Sequence, residues 1–261
     1  PYIINIRLWI LWKSSSSARY RTVPWFNGTP AEFELVDEST IVATTPADYK
    51  TGNVTVTIHG YTMTGSAMFN PNSKGDVTVL YLQNYKQPFA KANDENWKNG
   101  EWWTPAVWNQ NAASFNAKGN TTVSGMQYKS EEGLTLAFQN GWDKEAYTNG
   151  KMWQVATLRP GKYRLEVTYA YTLVVTDAGN FISVLIAKGD SESDIPNVAD
   201  LEQLNGVYVV YDKMGTANDS GTLVTPSFEV TETTDVVIGF LTSLAKGNSY
   251  FKVTELKLIL E

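Results

Sequence analysis

Six of the chain's nine tryptophans fall between residues 97 and 153: Trp97, Trp102, Trp103, Trp108, Trp142 and Trp153. Four of them sit in the run N-W-K-N-G-E-W-W-T-P-A-V-W-N-Q-N, interleaved with Asn, Gln and Glu. An indole face stacks on the apolar C–H face of a sugar ring, and neighbouring amides and carboxylates hydrogen-bond its hydroxyls. The same rings also fill the cores of β-proteins, so the element carrying each ring decides its role. In an extended Trp102-Trp103 pair the two rings point opposite ways, so one packs and the other is open to a ligand. Trp153, in a regular strand beside Gln154, is expected in the core. Trp142 is the aromatic expected at the surface.

Other chemistries find little support. His59 is the single histidine and there is no cysteine, which disfavours Ser-His-Asp catalysis and histidine-rich metal sites and removes disulfides and thiolate metal sites. The absence of disulfides points to a bacterial rather than a secreted eukaryotic protein. Two carboxylates suffice for a glycosidase, and Asp143/Glu145 and Asp212/Asp219 are the available pairs, but carboxylates in turns are usually solvated. No Gly-rich phosphate loop follows a strand. Cofactors are therefore expected to be none, with structural calcium on the oxygen-rich Asn218-Asp219-Ser220 segment the one exception to weigh. A net charge of −6 argues against nucleic acid, and no apolar run is long enough for a membrane helix.

The elements that position these residues read as strands. In residues 148–171 a Pro160-Gly161 turn separates two strands. After it Tyr163, Leu165, Val167, Tyr169 and Tyr171 alternate with Lys162, Arg164, Glu166 and Thr168, the period of a half-buried strand. This reads as a hairpin. Residues 181–187 are apolar on both faces, as in a central strand. In the last strand Phe251 and Val253 alternate, then the phase slips to Leu256, Leu258 and Leu260, which requires a bulge near Thr254–Glu255. Residues 83–130 read as irregular, 207–211, 227–230 and 236–241 as strands, and the acidic G-D-S-E-S-D segment as a solvated loop. Eight or nine strands with turns between them make an all-β jelly-roll sandwich.

In that sandwich alternate loops gather at one end. Loops 139–150, 172–180, 212–225 and 242–249 form the richer end, because they hold Q-N-G-W-D-K-E-A-Y-T-N-G and D-K-M-G-T-A-N-D-S-G. Function concentrates on loops held by a rigid scaffold. The ligand-binding residues expected here are Trp142, Tyr147, Asn140, Asp143, Asp212 and Asn218, joined by Trp102, Trp103 and Trp108 from the irregular stretch. The competing expectation is an adhesion or assembly module that docks on a protein through residues 97–108.

Two resemblances extend this reading. Phe26-Asn27-Gly28-Thr29-Pro30-Ala31, Asp37-Glu38-Ser39-Thr40-Ile41 through Pro46, and Gly52-Asn53-Val54-Thr55-Val56-Thr57 resemble, in order, three segments of the immunoglobulin-like IPT/TIG domain. The family's Gly-rich opening segment is not visible in residues 3–22. Lys151, Gln154, Leu158, Gly161 and Tyr163 fit a K-x-x-Q-x-x-x-L-x-x-G-x-Y pattern that resembles galactose-binding-like jelly rolls of Bacteroidota surface proteins. The first resemblance implies an immunoglobulin-like spacer over residues 1–72, and the second a carbohydrate-binding jelly roll over 73–261. Together they resemble a surface glycan-binding lipoprotein. That resemblance implies a bacterial cell-surface location, an outer-membrane lipid anchor upstream of Pro1, and capture of oligo- or polysaccharide beside a glycan transporter complex.

Overall fold

Alternation along the chain becomes strand after strand in the structure, a computed structural model that describes residues 3–7, 22–37, 40–45, 52–58, 61–69, 74–92, 102–115, 124–140, 146–176, 179–245 and 249–261. The chain divides into two compact units, Pro1–Ser73 and Lys74–Glu261.

The first unit holds β1 (Ile3–Arg7), β2 (Thr22–Phe26), β3 (Thr29–Pro30), β4 (Glu32–Asp37), β5 (Thr40–Thr44), β6 (Gly52–Ile58) and β7 (Tyr61–Phe69). They form a three-stranded sheet in the order β1-β5-β4 and a four-stranded sheet in the order β3-β2-β6-β7. Phe26, Ala31 and Ala43 are buried together, with Val54 packed on them. Asn27 and Gly28, with φ of 45° and 85°, make the tight β2–β3 turn, where residues that tolerate the left-handed region are needed. His59 lies outside the described residues.

The second unit holds β8 (Gly75–Asp76), α1 (Thr78–Tyr81), β9 (Trp102–Trp103), β10 (Asn109–Gln110), α2 (Ala112–Phe115), β11 (Ser124–Lys129), β12 (Gly133–Asn140), β13 (Tyr147–Leu158) and β14 (Gly161–Val174). After these come β15 (Phe181–Lys188), α3 (Val198–Leu204), β16 (Val209–Lys213), β17 (Ala217–Val224), β18 (Phe228–Val230), β19 (Thr234–Leu244) and β20 (Ser249–Leu260). A five-stranded sheet runs β10-β13-β19-β15-β16, and an eight-stranded sheet has the path β17-β14-β20-β12-β11-β9, with β18 on β14 and β8 on β20. The fold is an all-β sandwich.

The inner faces of the two sheets enclose one core. Phe138, Phe240 and Phe251 meet at its centre, with ring centroids 5.0 Å apart for Phe138–Phe240 and 6.1 Å for Phe138–Phe251. Trp108 joins Phe240 at 5.7 Å. Each such ring contributes about 1.5–3 kcal/mol by leaving water. A second, smaller core lies on the outer face of the five-stranded sheet, where Ile195 and Leu201 cover Trp153, Leu185, Val237 and Leu241. Trp153 packs in this core, as its strand position predicts.

Several expectations meet the structure here. Phe181–Lys188 is a central strand between β19 and β16. The bulge in β20 falls at Thr254, since Thr168 pairs with Glu255 and Tyr169 with Val253. The strands on either side of Pro160 are not a hairpin, however: β13 pairs with β10 and β19, while β14 pairs with β17, β18 and β20. The turn carries the chain from one sheet to the other, so Leu158 and Tyr163 meet across the core instead of side by side. Two stretches read as irregular or as loop contain strands: β9, β10 and β11 lie within 83–130, and β17 lies within 212–225.

Candidate functional site

Four connections gather at one end of the second unit. They link β12 to β13, β14 to β15, β16 to β17 and β19 to β20, and each crosses from one sheet to the other. Strand-end amides tie them together. Asn140, fully buried, donates Nδ2–H bonds to the Leu244 carbonyl at 3.3 Å and the Ala245 carbonyl at 2.8 Å. The Ala245 N–H in turn donates to Oδ1 of Asn180 at 2.9 Å. Asn180 Nδ2 donates to the Val175 carbonyl at 2.9 Å and to Ser249 Oγ at 2.8 Å. On the far side the Thr176 and Thr216 hydroxyls lie 2.7 Å apart, and the Met214 N–H donates to the Ile182 carbonyl at 2.9 Å. The result is one hydrogen-bonded frame that joins all four connections.

Of the four loops assigned to this end, the described ends of 139–150, 172–180 and 242–249 meet there through Asn140 and Asn180. The fourth shortens to the turn 214–216, because residues 217–224 are strand. Asp212 acts from that strand pair: its Oδ2 accepts the Val224 N–H at 2.9 Å, stitching β16 at the edge of one sheet to β17 at the edge of the other.

The expected ligand residues separate into groups. Trp142 and Asp143 lie outside the described residues, as does the side chain of Asn218. Asn140 belongs to the frame, so its side chain organises the loops and is not presented to a ligand. Tyr147 is buried with its hydroxyl 3.1 Å from Thr242 Oγ1, and burial drives its pKa well above the usual phenol range. Its expected role as a surface contact is therefore corrected: it closes the core beneath the frame. Trp108 is corrected likewise, since it is 5% exposed, packs on Phe240 and donates its ring N–H to the Asn84 carbonyl at 3.0 Å. Trp102 is 2% exposed, and Trp103 is half-buried against the main core. Neither ring of that pair stands in the open. The Asn218-Asp219-Ser220 segment, expected as a loop, lies in strand β17.

Residues 151–163 have structural duties. The Lys151 ammonium donates to the Ile195 carbonyl at 2.6 Å and the Glu192 carbonyl at 3.3 Å. Gln154 pairs with the Gln83 backbone like a strand neighbour, accepting its N–H at 3.1 Å and donating to its carbonyl at 2.7 Å. The Tyr163 hydroxyl donates to the Arg159 carbonyl at 3.0 Å across the sheet-changing turn. A side chain at Gly161 would meet Leu260 at 2.6 Å. The G-D-S-E-S-D segment is solvated, as expected, with Asp190, Glu192 and Ser193 exposed. It forms a short 3-10 turn, Glu192–Asp194, with a capping box in which Ser191 and Asp194 satisfy each other's backbone N–H groups.

Asn180 is the frame residue that the sequence reading missed. The available signal was its place after Gly179, at the mouth of a central strand, where an amide can bond backbone in two directions.

Comparison with solved structures gives low similarity. TmCBM61, a protein solved in complex with β-1,4-galactotriose, is 12% identical, with a TM-score of 0.36 over 69% of this chain and 100% of that chain. The K3 cleaved adhesin domain of Lys-gingipain from Porphyromonas gingivalis is 10% identical, with a TM-score of 0.34 over 68% and 96%. SGBP-B, from a complex xyloglucan utilization locus in Bacteroides uniformis, is 11% identical, with a TM-score of 0.29 over 92% and 65%. Likenesses of this size fix neither fold nor ligand, and the sandwich rests on its own strand pairing. No curated protein matches the chain. A family described as Domain of unknown function (DUF5013) matches residues 83–239, more than half of the 261. The chain belongs to that family.

Proposed function

We propose that the second unit is a non-catalytic carbohydrate-binding sandwich that captures oligo- or polysaccharide at the framed loop end. The observation that supports this most is the frame itself. Asn140 and Asn180 lock three connections together, the Thr176–Thr216 contact adds the fourth, and the sequence between Asn140 and β13 contains G-W-D-K-E, with Trp142 and Asp143 in it. A fixed rim whose connecting sequence carries an aromatic next to charged and amide groups suits a ligand that presents an apolar ring face and hydroxyls. In the wider proposal the first unit is an IPT/TIG-like spacer. The whole is then a lipid-anchored protein of a bacterial outer membrane, serving a glycan transporter.

Docking on a protein through residues 97–108 is the weaker reading. Trp102 and Trp108 are buried and Trp103 is packed on the core, so the three described tryptophans of that stretch are already engaged, Trp97 lying outside the described residues.

Affinity gel electrophoresis of the full chain tests the proposal. Gels carrying soluble xyloglucan, β-1,4-galactan, glucomannan, arabinoxylan or polygalacturonate should include one that retards the protein, and Trp142→Ala should abolish that retardation while circular dichroism stays unchanged. Migration unaffected by every glycan would sink the reading.

A further inference from the structure

The outer face of the eight-stranded sheet carries a cluster that the loop end does not use. In β20, Phe251 and Val253 face the core, so Tyr250 and Lys252 face the other way. A lysine there would ordinarily extend into water, yet Lys252 is 4% exposed. Its ammonium pairs with the Glu132 carboxylate and stands 5.4 Å from the centroid of the Tyr250 ring. Glu132 belongs to the turn joining β11 to β12. Tyr171 of β14 reaches the same turn, its hydroxyl donating to the Glu131 carbonyl at 3.2 Å. Because β20 lies between β14 and β12, that bond carries the phenol across β20.

Tyr171 combines three properties seldom found together. It is 47% exposed, its φ is 51°, and the register of β14 shifts at this point against both β17 and β20. The left-handed region is unfavourable for an aromatic residue and persists where the surroundings impose it, commonly at ligand contacts. Here the ring is held by the backbone at one end and by its hydroxyl at the other. An exposed aromatic already fixed in place loses little freedom when a ligand stacks on it.

The lysines of β20 are paired: Lys252 with Glu132, and Lys257 with Glu255 at 3.3 Å. A surface of paired charges offers hydrogen-bonding groups without attracting an anion. We infer that Tyr171, tied to the turn that carries the Lys252-paired Glu132, forms a second glycan contact on this sheet face, specific for neutral sugars over uronic-acid chains. The inference rests on the carbohydrate reading above and adds a site and a ligand class to it.

The test runs the full chain through gels containing neutral β-1,4-galactan, xyloglucan or glucomannan, or acidic polygalacturonate, as wild type, Tyr171→Ala, Tyr171→Phe, Glu132→Gln and Trp142→Ala. In the neutral glycan that retards wild type, Tyr171→Ala should weaken binding by about tenfold, the size of one lost stacking contact. Tyr171→Phe, which keeps the ring and loses the tether, should weaken it less. Glu132→Gln should gain retardation by polygalacturonate, since it leaves the Lys252 charge uncompensated. Equal retardation of wild type and Tyr171→Ala overturns the platform while the carbohydrate reading stands. Wild type retarded by polygalacturonate alone overturns the neutral class. Retardation by no glycan overturns both. Should Tyr171→Ala lose its circular dichroism signal, Tyr171→Phe decides: unchanged binding in it removes the preset ring from the site.

Discussion

The Lys151 ammonium donates to the Ile195 carbonyl at 2.6 Å, from a residue only 6% exposed. It holds the segment containing α3 against the outer face of the five-stranded sheet. Burial lowers the lysine's pKa from its ordinary value, and Glu192 opposes that shift. Lys151→Met keeps most of the aliphatic stem and removes the donor, leaving the Ile195 carbonyl without this partner. The expected loss is about 1–3 kcal/mol of stability. Hydrogen exchange should quicken in residues 192–204 before it does in β19.

Asp194 should give the protein an acid-sensitive joint. Hydrogen bonds from Ser191, Tyr208 and the Asp190 and Ser191 N–H groups hold its pKa below the usual carboxylate range, while burial opposes them. The same contact and burial push the Tyr208 phenol up to about 12. Since the folded pKa of Asp194 is the lower one, the unfolded chain takes up the proton first as pH falls. Its contribution is therefore complete above about pH 4 and is lost as pH falls through the folded value. Thermal melts should show Asp194→Asn well below wild type at pH 7, with the gap closing toward pH 2.

Gly239 lies in β19 where no side chain fits. A Cβ there would sit 2.1 Å from the Met152 carbonyl oxygen and 2.7 Å from Trp153 Cα, both backbone atoms of β13. Backbone in a central strand cannot move aside without disturbing the ladder. Gly239→Ala should cost at least the ~1–3 kcal/mol typical of overpacking, read as a lower urea midpoint or as insoluble expression.

Asn180 couples the frame to the core. It makes two donated bonds and one accepted bond while 8% exposed. Asn180→Ala should lower stability by about 2–3 kcal/mol and weaken glycan retention together. Trp142→Ala should abolish retention without moving the melting temperature. A separation of the two effects in the opposite sense would show that the frame does not position the ligand.

The strands that could be read from sequence were those whose alternation is local. The phase of Tyr163, Leu165 and Val167 gives the inner face of β14, and the slip from Val253 to Leu256 gives the bulge. Which sheet a strand joins is not local. A Pro-Gly turn between two alternating strands looks the same whether they pair or part, and only the register of β13 with β19 shows that they part. Met126 and Tyr128 alternate with Gln127 and Lys129 in β11, but that short signal was hidden in an Asn- and Trp-rich neighbourhood. The candidate site was legible as a set of loops and not as a set of side chains. Tryptophan clustering marked residues 102–108 for a ligand, whereas the same rings satisfy the core through Phe240 and Asn84. In the K-x-x-Q-x-x-x-L-x-x-G-x-Y pattern Lys151, Gln154 and Tyr163 clamp backbone, Leu158 fills the core and Gly161 admits Leu260, so these positions serve the structure.

β8 and the end of β20 pair antiparallel, Gly75 with Leu260 and Asp76 with Ile259, so the first and last strands of the second unit lie side by side. A pull on the two ends of this unit would load that pairing like a zipper, one hydrogen bond at a time, and the seam would open before the ladders of β14 and β20 bear tension. Load entering through a ligand at the loop end would instead run along the strands and strain many bonds at once. The seam that yields first under load therefore lies where β8 meets the end of β20.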